Sequence, residues 1–250
     1  MLPESQPDAS ASAVLAAIES MGFAAGRYTL APLSGLRRLV AQRLTDAARD
    51  IPHYSVTAHL CAAPLLAAQA AHNKDHTYRA SINDYLVAAA ARALVGVPAL
   101  NASFTSYGVV QHKHADISIA VAIEGGIITP IIRAAETRSL SEIIAVSRDL
   151  VMRARSRRLK PDEYNGGTFC ISNLGMYGVS SFTSILNAPQ GAILSVGSIE
   201  DRAMPLEGVL AILPMMSVTL TCDHRVIDGA VAARWLQSFK AAVASPRDSQ

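Results

Sequence analysis

The chain runs to 250 residues, half of them hydrophobic and 17% charged, with a formal net charge of +2 at pH 7. That is enough for one sizeable core in one large domain, while so little net charge and only 5% aromatics argue against nucleic-acid binding, which calls for a basic stripe interleaved with stacking platforms. No apolar run reaches membrane-spanning length, and the start Met1-Leu2-Pro3-Glu4-Ser5 lacks the basic residues of a secretory signal, so a cytoplasmic chain that neither crosses nor binds a membrane is expected.

In chain order, residues 1–27 are rich in alanine and serine, with a short helical pattern over 13–21 and no turn chemistry tying them to the residues after them. They read as a flexible or loosely docked arm, with the domain proper over 28–250. Ser34 suits the N-cap of a helix whose apolar positions are Leu36, Val40, Leu44 and Ala47, ended by Pro52. Residues 54–60 alternate like a strand, 82–94 read as a helix, and 115–123 alternate again. Gly125-Gly126 introduces a strand-like run over 127–132 whose Pro130 implies an edge or a bulge. Ser139 with Glu142 forms a capping box for a helix with Ile143, Val146, Leu150 and Ala154 on one face. Arg153, Arg155, Arg157, Arg158 and Lys160 crowd its end, where cations suit the helix dipole. In the last helix Val231, Trp235, Phe239 and Val243 share a face, and Trp235 is read as core. Alternating strands with intervening helices suit an α/β sandwich, a mixed sheet with helices packed on it.

Chemistry concentrates in Thr221-Cys222-Asp223-His224-Arg225-Val226-Ile227-Asp228-Gly229, between the strand-like run 215–220 and the helical pattern from 231. A histidine at a strand end is well placed to take a proton near neutral pH, so His224 is the candidate general base. Asp228 either orients the ring directly or fixes the turn by pairing with an arginine, and the structural role is favoured. Arg37 and Arg43 are the two candidate partners, with Gly229 as turn support. Taken alone, H-x-x-x-D-G also fits a satisfied histidine in a turn. The three cysteines, Cys61, Cys170 and Cys222, have no C-x-x-C spacing, which argues against a disulfide framework and a zinc site. Cys170 and Cys222 lie near the motifs, so a Cys/His nucleophile pair is a minor alternative. His112-Lys113-His114 fits an exposed hairpin better than a metal site, and no metal is expected. His59, His72 and His76 carry no motif.

A second segment, Gly166-Gly167-Thr168-Phe169-Cys170-Ile171-Ser172-Asn173-Leu174-Gly175-Met176-Tyr177-Gly178, is followed by Phe182-Thr183 and Asn187-Ala188-Pro189-Gln190. With the histidine segment, Pro32-Leu33-Ser34-Gly35-Leu36-Arg37 and Ile51-Pro52-His53-Tyr54, it resembles the catalytic domain of the dihydrolipoamide acyltransferases of 2-oxoacid dehydrogenase complexes, over about residues 28–246. The resemblance implies the chloramphenicol acetyltransferase-like fold, a two-layer sandwich of a mixed β-sheet and packed helices. It implies that His224 deprotonates the thiol of dihydrolipoamide or coenzyme A, that the Ser172 hydroxyl binds the oxyanion, and that Asn173, Gly175 and His53 border the substrate, although a structural role for His53 is favoured. It also implies a homotrimer whose base and oxyanion donor come from neighbouring subunits. Part of the basic cluster after Arg153 would then meet an acidic partner or coenzyme A phosphates, if it is not simply a solvated face. The local words are most similar to the pyruvate branch, so acetyl is the expected group.

Two departures shape the remaining expectations. No lipoyl domain or subunit-binding domain is present, so the chain is either a trimmed core or, as expected here, a free-standing acyltransferase served by a lipoyl domain in trans, with other 2-oxoacid dehydrogenase components as further partners. Residues 244–250 are polar where the family has an apolar docking tail, so a trimer without a larger shell is expected. The alternatives are a free-standing acyl-CoA-dependent acyltransferase acting on another small acceptor, and a non-enzymatic core scaffold.

Overall fold

The computed structural model describes residues 11–75 and 77–246. His76 and the polar residues 247–250 therefore lie outside the described residues. The chain divides into two units at Gly35/Leu36. In the first, helix α1 (Ala11–Ser20) is followed by a turn in which Gly22 takes a φ of 93°, and the rings of Phe23 and Tyr28 meet edge to face at 6.4 Å.

In the second unit the elements follow in chain order. Helix α2 (Gly35–Asp50), strand β1 (His53–Cys61), helix α3 (Ala63–Asp75) and helix α4 (Ile82–Gly96) precede the hairpin β2 (Ala102–Thr105) and β3 (Gly108–Gln111). Short strands β4 (Ile117–Ile119), β5 (Val121–Ile123), β6 (Gly126–Ile128) and β7 (Ile131–Ile132) lead to helix α5 (Leu140–Arg155). Strand β8 (Phe169–Asn173), the long strands β9 (Ala192–Leu206) and β10 (Val209–Asp223), and helix α6 (Gly229–Ala244) complete it. Six strands form one mixed sheet in the order β1-β10-β9-β8-β4-β7. The β8 strand runs parallel to β4 and β9, and the other pairs are antiparallel.

Alternation along these strands separates two faces. Met216, Val218, Leu220 and Cys222 of β10 share one core with Leu194 and Val196 of β9, Phe169 and Ile171 of β8, and Ile117 of β4. Helices supply the other half of that core. Trp235 of α6 is fully buried with ring centroids 5.1 Å from both Phe169 and Phe239, so it is core as expected. The opposite face carries hydroxyls: Ser55 pairs with Thr221 and Thr57 with Thr219 at 2.9 Å, and His59 with Ser217 at 3.0 Å.

Both capping boxes that begin long helices are formed, Ser139 with Glu142 at α5 and Ser81 with Asp84 at α4. The run expected over 127–132 divides at Pro130 into β6, which pairs with β5, and β7, an edge of the large sheet. A residue without a backbone N–H is tolerated there because an edge has no neighbour to receive it. His112, Lys113 and His114 follow the β2–β3 hairpin rather than forming it. His112 Nε2 meets Ser103 Oγ at 2.8 Å, and His114 Nδ1 meets Glu136 at 2.7 Å.

Two apolar surfaces of this unit stay open. Beyond the Cys61–Met215 pair the β9–β10 ribbon leaves the sheet, and Leu206, Val209, Leu210 and Ile212 on it are exposed. On α2, Ala47 is buried while Leu39 and Leu44 are exposed.

Candidate active site

The ladder between β1 and β10 ends at the His53–Asp223 pair, and one further backbone bond, His224 N–H to Pro52 O at 3.0 Å, carries the chain into a turn. The turn is stapled on both sides of His224. Asp223 is buried, and its carboxylate accepts from the Arg225 backbone N–H at 3.0 Å, Nε at 2.9 Å and Nη2 at 2.7 Å. The guanidinium, its charged form favoured by Asp223, lies 4.0 Å from the centre of the Phe104 ring. The imidazole of His224 is left exposed, tilted at 51° against Tyr54 with ring centroids 4.5 Å apart.

Asp228 Oδ1 accepts from Val231 N–H at 2.8 Å as the N-cap of α6. The first turn of a helix presents N–H groups without internal partners, and a carboxylate one step ahead is a fitting acceptor. Gly229 opens the helix in open space, with no neighbour within 4 Å of where a Cβ would lie, so crowding does not require glycine there. The arginine that braces the histidine turn is Arg225, acting on Asp223.

His53 is braced on both ring nitrogens. Nδ1 lies 2.8 Å from Ile51 O, and Nε2 accepts from Leu186 N–H at 3.0 Å, an arrangement that assigns the proton to Nδ1. The ring thus ties the start of β1 to the segment leading into the cis bond between Ala188 and Pro189. Both nitrogens are engaged within the chain, an arrangement that suits a structural role.

Ser172 stands on β8 in register with Ser195 of β9, half-buried, and among the described residues its hydroxyl makes no hydrogen bond. Ser195 is already engaged with Ser184 at 2.7 Å. Just past Ser172 the strand end is clamped: Asn173 Oδ1 accepts from Gly175 N–H at 2.7 Å, and its Nδ2 donates to Asn83 at 2.7 Å. A Cβ on Gly175 would come 2.8 Å from Gly197 O, so that turn closes only around glycine. Asn83, in the first turn of α4, has a part in the site that the sequence alone does not reveal. The Ser81–Asp84 spacing signals a helix start there, but nothing local signals a partner 90 positions away. Tyr54 likewise reads in the sequence only as one residue of an alternating strand.

Neither cysteine near the motifs is poised as a nucleophile. Cys170 and Cys222 are buried, and burial pushes both thiols up to about 12, so neither is a thiolate near neutral pH.

The register also fixes how Ser172 and His224 stand to each other within one chain. Ser172 is level with Ser195, and Ser195 with Thr219, all on the hydroxyl-bearing face. His224 lies five residues past Thr219 and packs on Tyr54, which borders the core on the helix-covered face. Five residues along and two strands across separate them by roughly 20 Å. A base and an oxyanion donor serving one reaction centre must each lie within hydrogen-bond reach of it, so a single chain does not bring this pair together.

The sequence model of the 2-oxoacid dehydrogenases acyltransferase family, catalytic domain, matches residues 25–249. The chain belongs to this family. A relative, the dihydrolipoyllysine-residue acetyltransferase component of the pyruvate dehydrogenase complex from Rhizobium meliloti (strain 1021), is 45% identical over 231 residues, which take in 90% of this chain and 52% of that protein. The chain spans about half the length of the curated relatives it matches. Among solved acyltransferases of the family, the dihydrolipoamide acetyltransferase of Azotobacter vinelandii is 28% identical with a TM-score of 0.84, over 88% of this chain and 93% of that one. The cubic core of the pyruvate dehydrogenase multienzyme complex is 29% identical with a TM-score of 0.85, over the same shares. Chloramphenicol acetyltransferase, 18% identical with a TM-score of 0.52 over 81% of this chain and 94% of that one, shares the fold. In the Azotobacter enzyme a serine, a histidine and an asparagine were studied for their role in the catalytic mechanism, spaced by 52 and four residues. Ser172, His224 and Asp228 have those separations here, with aspartate in the asparagine's place. Family and fold are those the sequence motifs indicated.

Proposed function

We propose that this domain moves an acyl group, acetyl first, between the thiols of dihydrolipoamide and coenzyme A, at sites completed between subunits of a homotrimer. The observation that carries this reading is the register: His224 and Ser172 stand roughly 20 Å apart on opposite faces of one sheet, a separation that a second copy would close. The exposed leucines of α2 and the apolar β9–β10 ribbon are surfaces such a copy would cover. Coenzyme A and the lipoyl group enter as substrates, the latter carried by a lipoyl domain in trans, and the remaining components of a 2-oxoacid dehydrogenase complex are the natural further partners. A cytoplasmic setting would keep the substrate thiols reduced, and among the described residues no helix is long and apolar enough to cross a membrane.

In this mechanism the imidazole of His224 removes the proton of the incoming thiol as its sulfur attacks the thioester carbonyl. The new carbon–sulfur bond leaves a tetrahedral oxyanion, to which the uncommitted hydroxyl of Ser172 donates. Collapse of the intermediate breaks the old carbon–sulfur bond, and the departing thiolate takes the proton back from the imidazolium. Asp228, through its cap of α6, and Asp223 with Arg225 hold the turn that carries the base.

The test is acetyl transfer from acetyl-coenzyme A to dihydrolipoamide by the intact chain, His224→Ala and Ser172→Ala. Loss of the base is expected to lower kcat by about 100- to 10,000-fold, and loss of the hydroxyl by about 100- to 1,000-fold. Absence of transfer by the intact trimer, with transfer to another small acceptor, would replace dihydrolipoamide in this scheme.

A further inference from the structure

A histidine that acts as a base is ordinarily aimed by a third group bonded to its other ring nitrogen. His224 has no such group in its own chain. Among the described residues neither ring nitrogen makes a hydrogen bond, Asp228 Oδ1 is taken by the cap of α6, and Asp223 is taken by Arg225. What touches the imidazole is the ring of Tyr54, at 4.5 Å between centroids.

The contact arises from the register of β1 on β10. Tyr54 is level with Cys222, so His224 is its diagonal neighbour two residues on, a spacing across which aromatic side chains meet. Tyr54 itself has little freedom: its ring packs against the main core, while its hydroxyl is buried beside the thiol of Cys222, a weak acceptor that leaves it without a well-formed hydrogen bond. A buried hydroxyl so weakly partnered adds little to folding, and phenylalanine would fill the same space without it. The part of Tyr54 that bears on the histidine is therefore its ring. Its position does have a consequence at the surface, because a ring locked into the core makes a fixed wall for an imidazole that otherwise turns freely about its side-chain torsions.

On the reading that His224 is the base, we infer that Tyr54 is its positioning residue, fixing the plane of the imidazole by ring contact where no hydrogen bond does. A residue that acts through the imidazole alters kcat and not substrate affinity, and that split is what distinguishes a positioning role from a substrate contact.

The experiment compares Tyr54→Phe and Tyr54→Leu with the intact trimer and His224→Ala in acetyl transfer. It also records ¹³C-labelled histidine ring signals by NMR, with the His224 signal assigned by its loss in His224→Ala. Tyr54→Leu removes the wall and is expected to lower kcat by about 10- to 100-fold, with KM for both substrates within about twofold of the intact protein. Tyr54→Phe keeps the wall and is expected to retain kcat within about threefold while folding at least as stably. The His224 ring signal should show a ring-current shift in the intact protein and in Tyr54→Phe, and lose it in Tyr54→Leu. If Tyr54→Leu does not fold, the absence of that shift in the intact protein overturns the inference. Unchanged kcat in Tyr54→Leu, with activity abolished in His224→Ala, overturns the role of Tyr54 alone. Full activity in His224→Ala overturns both the base and its positioning residue.

Discussion

At His224 the chain places an exposed imidazole between two residues that hold each other, and the strength of that staple is measurable. Asp223 is 3% exposed, so removing Arg225 leaves a carboxylate in the interior with only a backbone N–H for company. Breaking a buried pair from one side is far more damaging than the pair's own worth, and because the side chain of Arg225 is itself 31% exposed the penalty is reduced to about 2 kcal/mol. Arg225→Ala should therefore lower the urea midpoint by the equivalent amount, and Arg225→Lys, which cannot make the forked contact, should recover only part of it. The histidine itself is legible in the sequence, because a base, a carboxylate four residues on and a following glycine stand at a strand end. The cap made by Asp228 is also present in the sequence: an aspartate three residues ahead of Val231, where the apolar helical pattern begins, is at an N-cap position, and its side chain serves the helix whether or not an arginine meets it as well.

Among the elements, β9 does the most to shape the Ser172 side of the site. Opposite Ser217 it carries two residues, Gly197 and Ser198, a bulge at which the register with β10 shifts. The bulge lets the 179–180 segment come close enough for Ser198 N–H to reach Val179 O at 2.7 Å, and a Cβ on Gly197 would lie 2.1 Å from Ser180 O. Next along, Glu200 accepts from Ser180, from Ser198 at 2.6 Å and from Arg202 at 3.0 Å. These bonds, the one from Ser180 foremost, hold its carboxyl down at about 2 against an ordinary 4.5. A carboxyl whose pKa is lower in the folded state stabilises the fold when ionised, so the contribution is complete above the unfolded value and is lost as pH falls from there through the folded one. Denaturant melts of the intact chain and Glu200→Gln should accordingly differ most at pH 7 and converge as pH is lowered from 4.5 towards 2. A gap that stays constant over that range would remove Glu200 as an anchor of the segment. The long helices are legible from caps and periodicity, but α3 is not, because its alanines spread over every side and leave no apolar stripe to count. The bulge escapes a sequence reading for a different reason, since two residues opposing one depends on the partner strand and not on β9 alone.

For the whole molecule, the division of the site between copies makes a prediction that neither the residues nor the elements make separately. The motifs point to Ser172 and His224 together, and nothing in their spacing along the chain says that they leave opposite faces of one sheet. That fact belongs to the register of β8, β9 and β10. If a working site takes its histidine from one subunit and its serine from the next, His224→Ala and Ser172→Ala trimers are each deficient at every site, but for different reasons. Exchanging their subunits creates interfaces at which an intact histidine from the Ser172→Ala chain faces an intact serine from the His224→Ala chain. With random mixing of equal amounts, about one interface in four is of that kind, so activity should rise from the residual level of the parents to about a quarter of that of the intact protein. The exchange is made by partial denaturation and refolding of the two variants together, with each refolded alone as control. Recovery in the mixture only is the expected result, and its size distinguishes shared sites from simple rescue of folding, which would appear in the controls as well. No recovery in mixed trimers of verified composition would mean that each chain completes its own site, and the roughly 20 Å between the two residues would then have to be closed by a rearrangement of the sheet itself.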